Sequence, residues 1–154
     1  MVSSENNCRD LPLLLLCSLQ THSLNRAILE VSMSSKKLLV VDDEKHIRML
    51  YQEELEAEGY TVATSDGQEN ILAVIARETP RVVILDIKLG PDISGLDLLQ
   101  QIRSKDQDLP VILSTAYDSF QHDLKSIAAD FYVVKSVDLT ELKLRVTQAM
   151  AKNP

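Results

Sequence analysis

Cysteine is almost missing: Cys8 and Cys17 are the two in 154 residues, both in the first segment, and neither forms a Cys-x-x-Cys or Cys/His pattern. A zinc site of ordinary ligand spacing is thereby excluded, and a cysteine-free body suits a reducing cytoplasm. Glycine and proline are scarce, at four and five residues, and no long polar tract appears, which excludes disorder as a global state. Clustered basic residues are absent as well. Sixteen Lys and Arg stand against 23 Asp and Glu, for a net charge of −7. Affinity for a phosphate backbone rests on grouped cations, so no nucleic-acid partner is expected.

No apolar run is long enough to span a bilayer, so no membrane contact is expected. Leu11 to Leu19 covers about nine residues, well under the roughly 20 a spanning helix needs. Glu5, Arg9 and Asp10 ahead of it sum to −1, where a secretory signal carries a positive flank. The phosphate-binding, nucleophile-elbow and dinucleotide glycine motifs are likewise missing. His22, His46 and His122 fall into no metal or catalytic spacing.

What is present reads as one globular domain. Hydrophobic residues make up 45% of the chain and charged residues 25%, and a chain of this length buries a single sizeable core. Residues 1–34 are expected to be a disordered extension or an upstream start. Met33 opens Met-Ser-Ser-Lys-Lys-Leu-Leu-Val-Val-Asp-Asp, a natural beginning for a domain covering 35–154.

From Lys36 onward short aliphatic runs alternate with segments of helical period, the pattern of an α/β fold with a parallel sheet. Strands are predicted at Leu38 to Val41, Tyr60 to Thr64, Val82 to Leu85, Val111 to Ser114 and Phe131 to Val134. They are apolar throughout, as strands covered on both faces are. Helices are predicted at about 45–58, 68–77, 95–104, 119–128 and 138–152. Gly59 suits a helix C-terminus, and Asp66, Ser94, Asp118 and Asp138 suit N-caps. Core stripes are Ile47, Leu50, Tyr51 and Leu55, then Leu98, Leu99 and Ile102, then Leu139, Leu142, Val146 and Met150.

In an open parallel sheet, ligands bind beyond the carboxyl ends of the strands. The first strand ends in Asp42-Asp43, the third in Asp86, the fourth in Ser114-Thr115 and the fifth in Lys135. Any one of these acids alone is more simply a turn or cap residue. Parallel strands bring them to one edge together. Two carboxylates about 4 Å apart repel by roughly 4 kcal/mol at an effective dielectric constant near 20, so three require a cation or a proton. Mg²⁺, which takes hard oxygen ligands, meets that need.

Leu-Val-Val-Asp-Asp-Glu at 39–44, Val-Ile-Leu-Asp-Ile at 83–87, Val-Ile-Leu-Ser-Thr-Ala-Tyr at 111–117 and Tyr-Val-Val-Lys at 132–135 resemble the receiver domain of response regulators. The resemblance runs from about Lys36 to Lys152. It implies a doubly wound, flavodoxin-like (βα)5 fold with five parallel strands in the order 2-1-3-4-5. It implies Asp86 as phosphoacceptor, receiving a phosphoryl group from a histidine kinase or histidine phosphotransfer protein. Mg²⁺ would be ligated by Asp43, Asp86 and the Lys88 backbone carbonyl, with Asp42 acting through a water. Lys135 and Thr115 would contact phosphoryl oxygens, and Thr115 with Tyr132 would form the switch that docks a downstream protein. Ala116 is small where the phosphoryl group is approached closely, and Lys88 and Tyr117 flank the pocket.

The chain departs from the family's pattern in three places. The loop from Lys88 to Gly95 is slightly longer and carries Asp92, read as solvating its turn; Ser136 follows Lys135 in place of a cis proline; and the stretch from Thr115 to Tyr132 is short. The alternative to a phosphoacceptor is a receiver-like binding module that works without phosphorylation. An aspartate-based phosphohydrolase is disfavoured, because Lys88 stands where its second Asp belongs. The chain is therefore expected to be no enzyme beyond its own phosphorylation and dephosphorylation. Only Lys152-Asn153-Pro154 follow the last helix, so no DNA-binding output domain is expected in this chain.

Overall fold

The structure is a computed structural model that describes residues 36–116 and 128–152. The first segment, Tyr117, His122 and most of the helix expected at 119–128 lie outside the described residues. Within them, Lys37–Val41 (β1), Thr61–Ser65 (β2), Val82–Asp86 (β3), Val111–Thr115 (β6) and Phe131–Val134 (β7) form the strands of one sheet, in the order β2-β1-β3-β6-β7. Counted among themselves, these five follow the expected order 2-1-3-4-5, and every pairing is parallel.

Alternation along the strands explains the two-sided core. Leu39, Val41, Val83, Leu85, Val111 and Leu113 point to one face, where helices Ile71–Glu78 (α2) and Gly95–Lys105 (α3) cover them with Ile71, Val74, Leu99 and Ile102. Leu38, Val40, Val82, Ile84, Ile112 and Val133 point to the other. There, helices Lys45–Ala57 (α1) and Thr140–Lys152 (α4) supply Tyr51, Leu55, Leu142 and Val146. Each fully buried aliphatic side chain contributes roughly 1.5–3 kcal/mol, so a strand apolar on both faces is held by two cores at once.

Several element ends differ from expectation for local reasons. Helix α2 starts at Ile71 rather than near Gln68, because Asn70 is its cap: the Asn70 Oδ1 accepts from the backbone N–H groups of Leu72 and Ala73. Asp66 instead closes a turn, accepting from Gln68 N. Ser94 occupies the cap position of α3 without a side-chain cap bond. Helix α4 opens at Thr140, whose N–H and hydroxyl both donate to Asp138. Leu50 is 37% exposed, so the α1 core stripe rests on Tyr51 and Leu55, with Ile47 half-buried. Gly59 has φ +86°, the left-handed conformation expected after α1.

The loop after Asp86 is a small hairpin. Lys88–Leu89 (β4) and Ile93–Ser94 (β5) pair antiparallel, turning at Gly90, whose φ is +80°. No described helix is long and apolar enough to cross a membrane.

Candidate functional site at the carboxyl end of the sheet

The parallel register brings the strand-end residues together. Asp42 follows β1, Asp86 ends β3 opposite Ser114 of β6, and Thr115 is opposite Val134, one residue before Lys135. The Lys135 N–H donates to the Thr115 carbonyl at 2.7 Å, which continues the ladder and aims the lysine across the edge. No peptide among the described residues is cis, so Lys135-Ser136 is trans.

One carboxylate oxygen from each of Asp42, Asp43 and Asp86 lies within 4.8 Å of the others. Asp42 is 1% exposed and Asp86 4%, whereas Asp43 faces solvent. The Lys135 ammonium sits among the acids, 2.7 Å from Asp42 Oδ2, 2.9 Å from Asp86 Oδ2 and 3.3 Å from Glu44 Oε1. A cleft of about 310 Å³ opens above them, lined by Asp43, Glu44, Asp86, Lys88, Thr115 and Lys135. Gly90 and Ala116 complete its wall and present no bulk to it.

Burial and the shared ammonium pull the proton affinities of Asp86 and Lys135 in opposite directions. Burial raises the Asp86 carboxyl above its ordinary range; the bond to Lys135 opposes this, Asp42 adds to it, and a backbone bond from Lys88 opposes it. Burial alone would lower Lys135, but its bonds to Asp42 and Asp86 raise it strongly, so it stays charged. The donor set is hard oxygen with an excess of negative charge and an exposed face at Asp43, which fits Mg²⁺. Asp42 is already engaged on both sides, since its Oδ1 accepts from Glu44 N at 2.9 Å and its Oδ2 meets Lys135.

Thr115 is buried on the cleft wall. Tyr132 pairs with Leu113 and packs half-buried against the same core face, so Thr115 and Tyr132 share one side of the sheet. Asp92 is exposed and lines a separate cavity beside α2 and α3, away from the acid cluster.

Four features of the site escaped sequence reasoning. Glu44 is a third partner for Lys135. The Arg48 guanidinium donates to the Asp42 carbonyl, bracing the acid pair from α1. Tyr51 and Ser114 share a buried hydrogen bond of 2.9 Å beneath the cluster. Gly95 packs directly on Asp86: a Cβ there would overlap the Asp86 carbonyl oxygen and lie 2.8 Å from its carbon.

Comparisons with known proteins identify the family and the fold. The family model of the response regulator receiver domain matches residues 38–147. The probable transcriptional regulatory protein TcrX of Mycobacterium tuberculosis is 38% identical over 71% of this chain and 47% of its own length. The transcriptional regulatory protein YkoG of Bacillus subtilis is 37% identical over 79% of this chain and 54% of its own. The chain thus spans about half the length of these curated relatives. Among solved structures, response regulator TrrA of Thermotoga maritima in complex with Mg²⁺-BeF superposes with a TM-score of 0.70 at 46% identity, over 74% of this chain and 98% of that one. The complex of histidine kinase ThkA with TrrA gives 0.64 at 44%, over 74% and 97%.

Proposed function

The chain belongs to the response regulator receiver domain family, and from that premise we propose that Asp86 accepts a phosphoryl group from a separate histidine kinase or phosphotransfer protein. The observation that carries this reading is the meeting of Asp86 with Asp42, Asp43, Thr115 and Lys135 at one cleft. An Asp86 carboxylate oxygen forms the new O–P bond while the P–N bond of the phosphohistidine breaks and its electron pair returns to the imidazole. Asp43, Asp86 and the Lys88 carbonyl would hold Mg²⁺, with Asp42 acting through a water. The ion would supply positive charge that offsets the carboxylates and the transferring group. Lys135 pairs with a phosphoryl oxygen in place of Asp86, and the Thr115 hydroxyl donates to another.

Phosphorylation adds about −1.5 to −2 charges and strong acceptor oxygens, enough to draw Thr115 inward. Tyr132, on the same side of the sheet, follows into the space released. This is the change a downstream partner reads. The kinase complex of TrrA supports a kinase as donor. The names of the curated relatives make DNA binding by a whole protein compatible with this reading.

Incubation with Mg²⁺ and acetyl phosphate should add one phosphoryl mass to the wild type and none to Asp86→Asn, with both folded. Full labelling of the Asn variant would refute the assignment. Thr115→Ala should be labelled yet show a blunted spectral response.

A further inference from the structure

Ser114 occupies a distinctive place in the site. It is the last β6 residue paired with β3, where its partner is Asp86 itself, and its neighbour Thr115 pairs with Val134 of β7. Strand alternation puts the Ser114 side chain on the face opposite Thr115, toward α1. There its hydroxyl, 1% exposed as a residue, meets the Tyr51 hydroxyl at 2.9 Å. Tyr51 is 2% exposed and lies on the helix that follows Asp42 and Asp43. This polar pair sits against a core face built mainly of Leu, Val and Ile. Packing does not require either hydroxyl, and a buried hydroxyl without a partner is costly.

The pair therefore ties the helix behind the metal-binding acids to the rung that sets Asp86 against Thr115. We propose that Tyr51 is a positioning residue for phosphoryl acceptance, holding the end of β6 through Ser114 so that the Thr115 hydroxyl stands at a fixed distance from Asp86. The inference rests on the receiver reading. Burial raises the phenol above its ordinary range, so it stays protonated and either hydroxyl of the pair can donate. Lys135, Asp42 and Asp86 all act electrostatically on that phenol, so the tether ends close beneath the acids.

The test is phosphorylation of the full chain by acetyl phosphate, with Mg²⁺ varied. In Tyr51→Phe the maximal rate constant should fall about three- to tenfold through misplacement of Thr115, while half-saturating Mg²⁺ stays within twofold. The Thr115 amide shift induced by Mg²⁺ and beryllofluoride should shrink in parallel. Ser114→Ala should reproduce the loss, Ser114→Thr should restore it by keeping a hydroxyl, and Tyr51→Phe with Ser114→Ala should be no slower than either alone. A folded Tyr51→Phe with the wild-type rate constant and an unchanged Thr115 shift overturns the proposal, as do single losses that add in full. A wild type that takes no label at all refutes the receiver reading instead.

Discussion

The two ends of the sheet use the same kinds of charged residue and reach opposite balances. At the carboxyl end one lysine is divided among Asp42, Asp86 and Glu44, and Asp43 adds a further charge. At the amino end every bond of Arg103 has its own acceptor. Its guanidinium donates to the carbonyls of Ala128 and Leu109 at 2.7 Å each and to Asp130 Oδ2 at 2.8 Å. Asp130 in turn accepts from Val111 N and from Lys152. The amino end is a satisfied network that fixes where β6 and β7 begin. The carboxyl end is left short of positive charge, and under the proposed function a divalent cation would make up that shortage at the acids while a phosphoryl group would draw the lysine.

The comparison can be broken most sharply at Gly95. Gly95→Ala forces a methyl against the Asp86 carbonyl and should destabilise by about 3 kcal/mol, in the range of overpacked sites, while also slowing phosphorylation. Denaturant unfolding with parallel labelling checks both; a loss of stability without a loss of rate would separate the helix from the site. Next, Arg103→Ala removes the donor to the Ala128 and Leu109 carbonyls and one of three donors to Asp130, and should cost about 2 kcal/mol while leaving half-saturating Mg²⁺ unchanged. An altered Mg²⁺ dependence there would mean that the ends are coupled.

Lys135→Met removes the one shared cation, so the remaining acids should bind Mg²⁺ about tenfold more tightly, by calorimetry, even as phosphorylation fails. Weaker binding would mean that Lys135 organises the acids more than it opposes the metal. The smallest effect is in pH. Burial raises Asp86 in the folded state, so its contribution is fully present below its ordinary pKa of 3.8 and is lost as pH rises through the raised value. In Mg²⁺-free buffer, the stability of wild type relative to Asp86→Asn should therefore decline as pH rises over that window. A difference that grows with pH would contradict the direction given for Asp86.

Much of the fold was legible because period and punctuation are local. Val82 to Leu85 is apolar at every position, which marks a strand buried on both faces, and its helices follow at 3.6-residue spacing. Asp66 was misread as a cap because Asn70, four residues on, is equally suited to the role, and only the path of the chain decides between them. The β4–β5 hairpin was missed because two-residue strands leave no periodic signal. The acids and Lys135 were found by their positions at strand ends. Arg103 with Asp130, and Tyr51 with Ser114, were not. Their partners lie 27 and 63 residues apart, and each residue alone reads as a helix-surface charge or a core aromatic.

By itself the sequence determined the strands, their parallel sense and the strand-end residues, because β-strand and helix signals are carried by near neighbours and a parallel sheet follows from the alternation, while the strand order came with the receiver resemblance. Tertiary structure alone decided which groups meet: Lys135 among three carboxylates, Gly95 against the Asp86 carbonyl, Tyr51 beneath Ser114. Such pairings depend on register and packing across the sheet, and electrostatic energies at these separations change steeply with each ångström.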